Sequence, residues 1–247
     1  MRSIAIIAAL IAIPLMAQST TIQPPTSANT TETRTFALQS GGKLDVSTIN
    51  GRIKVTAWNK NEVGLTAEFK SDSDGKHTRL EVDSTTSSLE LTVKHPQNFD
   101  RRGSRQSAVC NLELFVPSTI VGKINTVNGS IMINSVDGKL KLKTVNGSIS
   151  LEDASGDIDV SATNGSIKGS VKDIEDNLDI STVNGSIKVK LHNPNGTLHA
   201  SRVNGSVKVN TPGASNFESG KRNVKATFGN GKATYKIKTV NGSITID

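Results

Sequence analysis

The sequence lacks almost everything that marks a familiar chemistry. Its 247 residues include one cysteine, Cys110. That excludes an internal disulfide and a cysteine-rich metal site, so the fold must rest on its own core and hydrogen bonds. Cys110 itself reads as a small buried hydrophobe or a loop residue. Aromatic residues make up 3% of the chain, with one Trp, one Tyr and six Phe. So few rings argue against a base-stacking nucleic-acid surface. They also leave little to build the aromatic platforms of a sugar groove. The histidines, His77, His95, His192 and His199, show no metal-ligand spacing. No Gly-rich phosphate loop opens a helix, and no serine elbow is present. The acidic turns "SDSDGK" and "VDG" lack the calcium loop of an EF-hand and the Asp-Gly repeat of a calcium β-roll. No cofactor, no metal and no catalytic residue are therefore expected.

Long apolar runs are absent too, except at the start. Met1, Arg2 and Ser3 precede an apolar run over 4–16 broken only by Pro14, and Ala17 follows. About 13 apolar residues are too few for the ~20 of a bilayer span. The layout is that of a secretory signal peptide over 1–17, and no transmembrane segment is expected once it is cleaved. No cysteine follows the site, so a lipid anchor there is not expected. Residues 18–34, "QSTTIQPPTSANTTETR", are Ser/Thr/Pro-rich and read as a flexible segment. The folded domain is then 35–247, in an exported protein of the periplasm, the cell surface or the medium. Lys and Arg number 29 and Asp and Glu 22, a net charge of +7. That suits contact with anionic envelope polymers.

The chain is rich in repetition instead. "TVNGSI" occupies 126–131, 144–149, 182–187 and 239–244, with variants at 48–53 ("TINGRI"), 162–167 ("ATNGSI") and 202–207 ("RVNGSV"). The central glycines, Gly129, Gly147, Gly165, Gly185 and Gly205, are spaced 18, 18, 20 and 20 apart, and Gly242 follows after 37, close to two periods. Gly138 and Gly156 fall midway, so each period holds two similar halves. Aliphatic residues stand two and four places after most of these glycines, as in Ile131/Ile133 and Leu140/Leu142. That alternation predicts short strands with one buried face. Asn-Gly is a strong hairpin signal, and an antiparallel meander would use it. Parity argues otherwise. The residue two before each glycine is often apolar too, as at Val127, Val136, Val145, Val183, Val203 and Val240. It falls at an odd position, so the chain must bend to bring both sets inward. The prediction is an all-β parallel β-helix, or β-solenoid, with rungs of about 18–20 residues. Stacked rungs lie ~4.8 Å apart. Asn128, Asn146, Asn164, Asn184, Asn204 and Asn241 then share one corner, where Asn tolerates a left-handed backbone and can bond from rung to rung. Residues 44–55 are a clear copy of the unit, but the rest of the N-terminal part lacks Asn-Gly corners and is expected to be irregular and partly antiparallel, capping the coil.

With these residues in view, the chain resembles the bacterial putative-adhesin family. The tandem "TVNGSI" units and the stretch 112–131, "LELFVPSTIVGKINTVNGSI", carry the resemblance. It covers nearly all of 35–247. It implies a β-helical exported protein associated with the cell envelope, and brings no catalytic residue with it.

One surface stands out. The third position after each glycine faces solvent and carries Lys168, Lys188 and Lys208, expected in adjacent rungs with Lys190 nearby. Such a Ser/Lys stripe is either a solvated face or a contact for an anionic polymer or polysaccharide. Three classes of function remain open. The first is a non-enzymatic adhesion or binding scaffold of the envelope. The second is a polysaccharide-degrading enzyme on a β-helix, with a carboxylate pair from Asp157, Asp159 and Asp179 and Arg202 one rung away. The third is a self-assembling structural protein, a homo-oligomer through the C-terminal rung, since "TVNGSITID" has no capping segment after it.

Overall fold

The computed structural model describes residues 18–24, 29–70, 78–95 and 108–247. The expected signal peptide, the turn "SDSDGK", His77 and most of the polar loop 95–107 lie outside the described residues. Among the described residues there is no helix, and no helix therefore that is long and apolar enough to cross a membrane.

Alternation over short segments gives strands, and the strands gather into two sheets. The larger carries, edge to edge, β1 (Gln18–Ile22), β6 (Arg79–Ser84), β7 (Ser88–Lys94), β3 (Lys43–Asn50), β9 (Thr119–Asn128), β11 (Asp137–Asn146), β13 (Asp157–Asn164), β15 (Asn177–Asn184), β21 (Ala233–Asn241), β17 (Gly196–Asn204), β20 (Asn223–Phe228) and β19 (Ala214–Ser219). The smaller carries β18 (Val207–Val209), β22 (Ile244–Ile246), β16 (Ile187–His192), β14 (Ile167–Lys172), β12 (Ile149–Ala154), β10 (Ile131–Asn134), β4 (Ile53–Trp58), β8 (Val109–Pro117), β5 (Glu62–Lys70) and β2 (Thr30–Ala37). From β3 to β17 and from β8 to β18 every pairing is parallel. The chain is a β-solenoid: each rung contributes one strand to each sheet. The antiparallel joins lie toward the ends, where β1, β6 and β7 flank one sheet and β2, β5 and β8 the other.

The Asn-Gly-Ser corner passes the chain from the larger sheet to the smaller. Asn128 Nδ2 donates to Asn50 Oδ1 at 2.9 Å, and Asn146, Asn164 and Asn184 continue the ladder at 2.9 Å each. Asn241 donates to Asn184 and Asn204 to Asn241, both at 2.8 Å. The corner asparagines keep negative φ, so the left-handed rationale does not apply to them. Space explains the glycine instead. A Cβ on Gly147 would run into the carbonyl oxygen of Gly129 in the rung below. At the opposite corner the chain turns on Ser135, Asp153, Asp173 and Asn193, with φ between 49° and 56°.

The two half-rungs are not alike, and this corrects the parity reading. Val127, Val183, Val203 and Val240 point outward and are 37–47% exposed; Val136 alone of the six valines is buried. The larger-sheet strand runs straight through its Asn, so Leu140, Leu142 and Thr144 face inward and Val145 cannot. The bend sits in the other half, at Ser135. The inward place before each corner belongs to Thr48, Thr126, Thr144, Thr182 and Thr239, all buried. Thr144, Thr182 and Thr239 donate their hydroxyls to the carbonyls of Gly129, Gly165 and Gly185 at 2.9–3.0 Å. Ala162 and Arg202 fill the remaining places in register. Between the sheets, Ile131, Ile133, Ile149 and Leu151 meet Leu140, Leu142, Ile158 and Val160 in one continuous core. Each buried aliphatic contributes roughly 1.5–3 kcal/mol.

Two further expectations need correction. Of residues 18–34, Gln18–Ile22 and the start of Thr30–Ala37 are strands: β1 pairs with β6, and β2 pairs with β5. These strands are held by backbone pairing to sheet edges, with only Ile22 and Phe36 buried. Nor does the last repeat end the coil. β21 lies between β15 and β17, and β22 between β16 and β18. The 37-residue gap between Gly205 and Gly242 is not two stacked rungs, because β19 and β20 form a hairpin across the outer edge of β17. The C-terminal rung has neighbours on both sides and offers no free edge. That removes the structural premise for assembly through it.

Cys110 is fully buried in β8, and burial pushes its thiol up to about 12 from a usual value of 9.0. Below pH 9 the folded and unfolded thiols are both protonated. Above it the unfolded chain releases a proton that the native state retains, so native stability should fall from pH 9 toward 12. A Cys110→Ala variant should show a flatter decline in its urea midpoint over that window. The ladder gives a second expectation. Asn146→Ala removes a donor and an acceptor in mid-column, at a cost of roughly 1–2 kcal/mol, while Asn204→Ala removes one bond at the end and about half that. Gly147→Ala should cost more than either. Equal urea midpoints for the two asparagine variants would show that the ladder contributes nothing.

Candidate functional site

The row of outward residues on the smaller sheet runs Lys54, Met132, Ser150, Lys168, Lys188, Thr245, Lys208 in space. Lys168 and Lys188 are neighbours as expected from the repeat, but Lys208 is not beside them. Thr245 of the intercalated rung separates it from Lys188. Lys190 stands opposite Ser170. The row is also partly neutralised. Lys54 lies 2.8 Å from Glu113 and Lys188 lies 3.4 Å from Asp247. The Asn210 amide at 2.8 Å, and then Lys188, hold the Asp247 carboxyl below the usual carboxylate range.

The carboxylates considered for sugar chemistry lie on the outer face of the larger sheet. Asp157 is 3.1 Å from Lys139, and Asp159 is 3.1 Å from Lys141. Asp179 sits beside Asp159 on one side and Lys236 on the other. Arg202 is two rungs from Asp179 rather than one, because β21 intervenes. His192 and His199 lie on different sheets. Among the described residues no three His, Cys, Asp or Glu side chains come together in a way that would hold a metal ion.

A different arrangement emerges nearer the C-terminal end of the same face. An open groove of about 820 Å³ runs across β11, β13, β15, β21 and β17 to the β19–β20 turn. One wall is a column of outward residues, Lys143, Ser161, Ser181, Lys238, Ser201 and Asn223, in register across the strands. The next column supplies Thr163 and the exposed Val183, Val240 and Val203. At the outer end the floor is backbone of Arg202 and Arg222, where the Arg202 N–H donates to the Arg222 carbonyl at 2.9 Å; Arg202 itself stands in the inward column opposite Thr239. Lys143, Lys238, Arg202 and Arg222 line this groove, no carboxylate does, and none of the four is ion-paired among the described residues. Arg202 Nε is buried without a hydrogen-bond partner. Beyond Asn223 a second depression carries His199, Lys225, Lys236 and Glu218.

Sequence reasoning missed this groove. Its one visible signal was Arg202, the departure from Thr in "RVNGSV". Arg222 comes from the hairpin, which carries no repeat, and the apolarity of the outward valines points, on sequence alone, to the core.

The family model described as Toastrack DUF4097 matches residues 18–247. The chain belongs to the Toastrack family. No curated protein matches the chain by sequence. Among solved structures this Toastrack chain is similar to a "putative cell adhesion protein" from Clostridium sporogenes, at 11% identity, 89% of this chain and 99% of that one, and a TM-score of 0.49. It is also similar to a "putative adhesin" from Bacteroides fragilis, at 11% identity, 88% and 97% coverage and a TM-score of 0.29. A "putative lipid binding protein" from Parabacteroides distasonis matches at 12% identity, 88% and 96% coverage and a TM-score of 0.31.

The Asp247 environment yields a direct expectation. In an NMR titration, Asn210→Ala should raise the Asp247 carboxyl further toward its ordinary value than Lys188→Gln does, because the amide bond is the larger influence. The reverse order would assign the depression to the lysine.

Proposed function

We propose that this Toastrack chain is an exported, non-catalytic binding scaffold of the cell envelope that holds anionic envelope polymers against the outer face of its larger sheet. The observation that carries the reading is the outer-face groove whose wall presents Lys143 and Lys238, neither of them ion-paired among the described residues, with no lining carboxylate. Charges elsewhere on the coil are commonly matched across rungs: Asp45 with Lys123 at 3.0 Å, and Asp157 and Asp159 with Lys139 and Lys141 at 3.1 Å. A surface built only for solubility would be expected to match the groove's cations as well. Unmatched cations in a concave wall raise the local concentration of a polyanion. The row of Lys168, Lys188, Lys190 and Lys208 on the opposite sheet is a secondary contact in this reading, weakened by Asp247.

A non-catalytic role agrees with the placement of the acids. Asp157 and Asp159 each pair with a lysine of the neighbouring strand, and neither lines the groove. Export agrees with the leader-like start at 1–17.

The test is retention of the protein on immobilised acidic polysaccharide and on lipopolysaccharide, beside a neutral glycan. Lys143→Gln with Lys238→Gln should weaken retention roughly tenfold, since each surface charge contact is worth up to about 1 kcal/mol. Salt should release the native protein, because screening shortens to ~3 Å at 1 M. Lys168→Gln, Lys188→Gln and Lys208→Gln together should matter less. A larger loss from that triple variant would move the contact to the lysine row. Equal retention on neutral glycan would end the reading.

A further inference from the structure

We propose that the outer end of the coil accepts an added β-strand: an extended peptide with alternating aliphatic side chains and one carboxylate, paired with the free edge of β18 and held by Arg202. The site lies at the end of the coil, apart from the groove, and does not rest on the polymer reading.

The coil ends unevenly. β18 is the outermost strand of the smaller sheet, while the larger sheet continues past β17 with β20 and β19. Among the described residues no strand of the smaller sheet faces β20. The backbone at that edge has a direction. The Ile244 N–H donates to the Ser206 carbonyl at 2.8 Å, and the Asn210 N–H to the Ile246 carbonyl at 2.7 Å. Alternation then turns Lys208 toward β22 as well, and Val207 and Val209 away from it. No backbone or side chain among the described residues bonds the N–H and C=O groups of these two valines. Their side chains are also short of cover. In the same two columns of the inner rungs, Ile187, Val189, Ile244 and Ile246 are 0–1% exposed. Val207 and Val209 are only half-buried against the core.

The charge at this end selects the partner. Five of the seven repeats place a buried threonine in the inward column before the corner. At the outermost rung Arg202 stands in that column, beside Thr239. Its Nε is buried without a partner, and its side chain forms no ion pair among the described residues. A buried N–H without an acceptor is uncommon in a native structure. Arg222 stands opposite, its carbonyl accepting the Arg202 N–H. Residues 202–213 and 220–228 contain Arg202, Lys208, Lys221, Arg222 and Lys225 and no acid. A carboxylate complements this end, and an arginine fork engages one through paired N–H bonds. A second copy docked end to end would instead set these cations against their own kind.

The free edge separates a peptide from other anions. A polysaccharide has no row of amides to match it. A peptide strand supplies carbonyls and N–H groups to Val207 and Val209, lays aliphatic side chains over theirs, and brings an Asp or Glu to the Asn-Gly corner, where Arg202 faces. Main-chain pairing then gives affinity and the alternate side chains give specificity.

The experiment follows binding to the full protein by fluorescence anisotropy, with a labelled peptide of sequence Glu-Thr-Val-Thr-Val-Thr and its counterpart beginning with Gln. The acidic peptide should bind about tenfold tighter or more. Arg202→Thr restores the repeat, so it should fold, weaken the acidic peptide by about the same factor and leave the Gln peptide unchanged. Val209→Pro removes an N–H that no native bond uses, and should weaken both peptides. By NMR, the acidic peptide should slow hydrogen exchange at the Val207 and Val209 amides of the native protein and change Lys208 little. Equal affinity for the two peptides, or an Arg202→Thr variant that binds the acidic one as the native chain does, overturns the proposal. Binding that leaves the Val207 and Val209 amides unprotected places the peptide elsewhere and overturns it too. A concentration-dependent dimer that Val209→Pro dissolves, with no peptide bound by the native protein, assigns the edge to a second copy and overturns it. Absence of binding by either peptide does the same.

Discussion

Everything in this coil depends on backbone lying directly on backbone at the Asn-Gly corner. Rungs stack at the ~4.8 Å spacing of paired strands, and at the corner nothing larger than hydrogen fits between one glycine and the carbonyl beneath it. Each corner glycine N–H is donated to an asparagine carbonyl of the neighbouring rung, at 3.0–3.2 Å from Gly51 to Gly242. The asparagine amides and the threonine hydroxyls repeat at the same interval on either side. Because the corner belongs to both sheets, this one spacing sets the register of both. The aliphatic columns contribute most of the stability, at roughly 1.5–3 kcal/mol per buried side chain. They do not specify which rung aligns with which, since Ile, Leu and Val are interchangeable along a column. The polar column does. A slip by one residue would turn every inward side chain out and break the amide ladder together.

The repeated letters made much of this legible. A period of 18–20, an inward pair of aliphatics and a common asparagine position are enough to imply stacked parallel rungs. What the letters concealed has physical causes. The valine before each asparagine suits a strand whichever way it points, so its apolarity did not report its direction. The opposite corner turns on Ser135, Asp153, Asp173 and Asn193, three residue types in four places, and so left no trace as a repeat. Spatial order was hidden for a subtler reason. Identical corners fit one another equally well, so nothing in "TVNGSI" says that Asn241 belongs between Asn184 and Asn204. The strands β1 and β2 were missed because their own side chains bury little, and their order comes from the edges they join.

The groove was the least legible part. It needs two lysines from repeats far apart in sequence, Lys143 and Lys238, set in one column of hydroxyls, and an edge strand from a hairpin outside the repeat. Only the topology brings these together. Yet the repeat supplies the background against which Arg202 can be recognised. Where five of seven copies place a threonine in the buried column, a charged letter there has no architectural account. The two broad faces of the coil also differ in kind. On the smaller sheet the lysines meet Glu113 and Asp247, whereas the larger sheet's groove leaves its cations open to a ligand.

The intercalated rung bears on how the molecule is made. Residues 196–209 emerge before 233–246, yet their final seat is farther out. As they form, the surface presented by β15 and β16 already has the spacing, the asparagine and the glycine that they recognise. Docking there would be a near-native trap, with every ladder bond satisfied and the seat of a later strand taken. Completion then requires that the early rung either wait or let go. Vectorial growth, the usual advantage of a solenoid, stops short at this point, and the last step of assembly becomes a non-local one that is correspondingly slow.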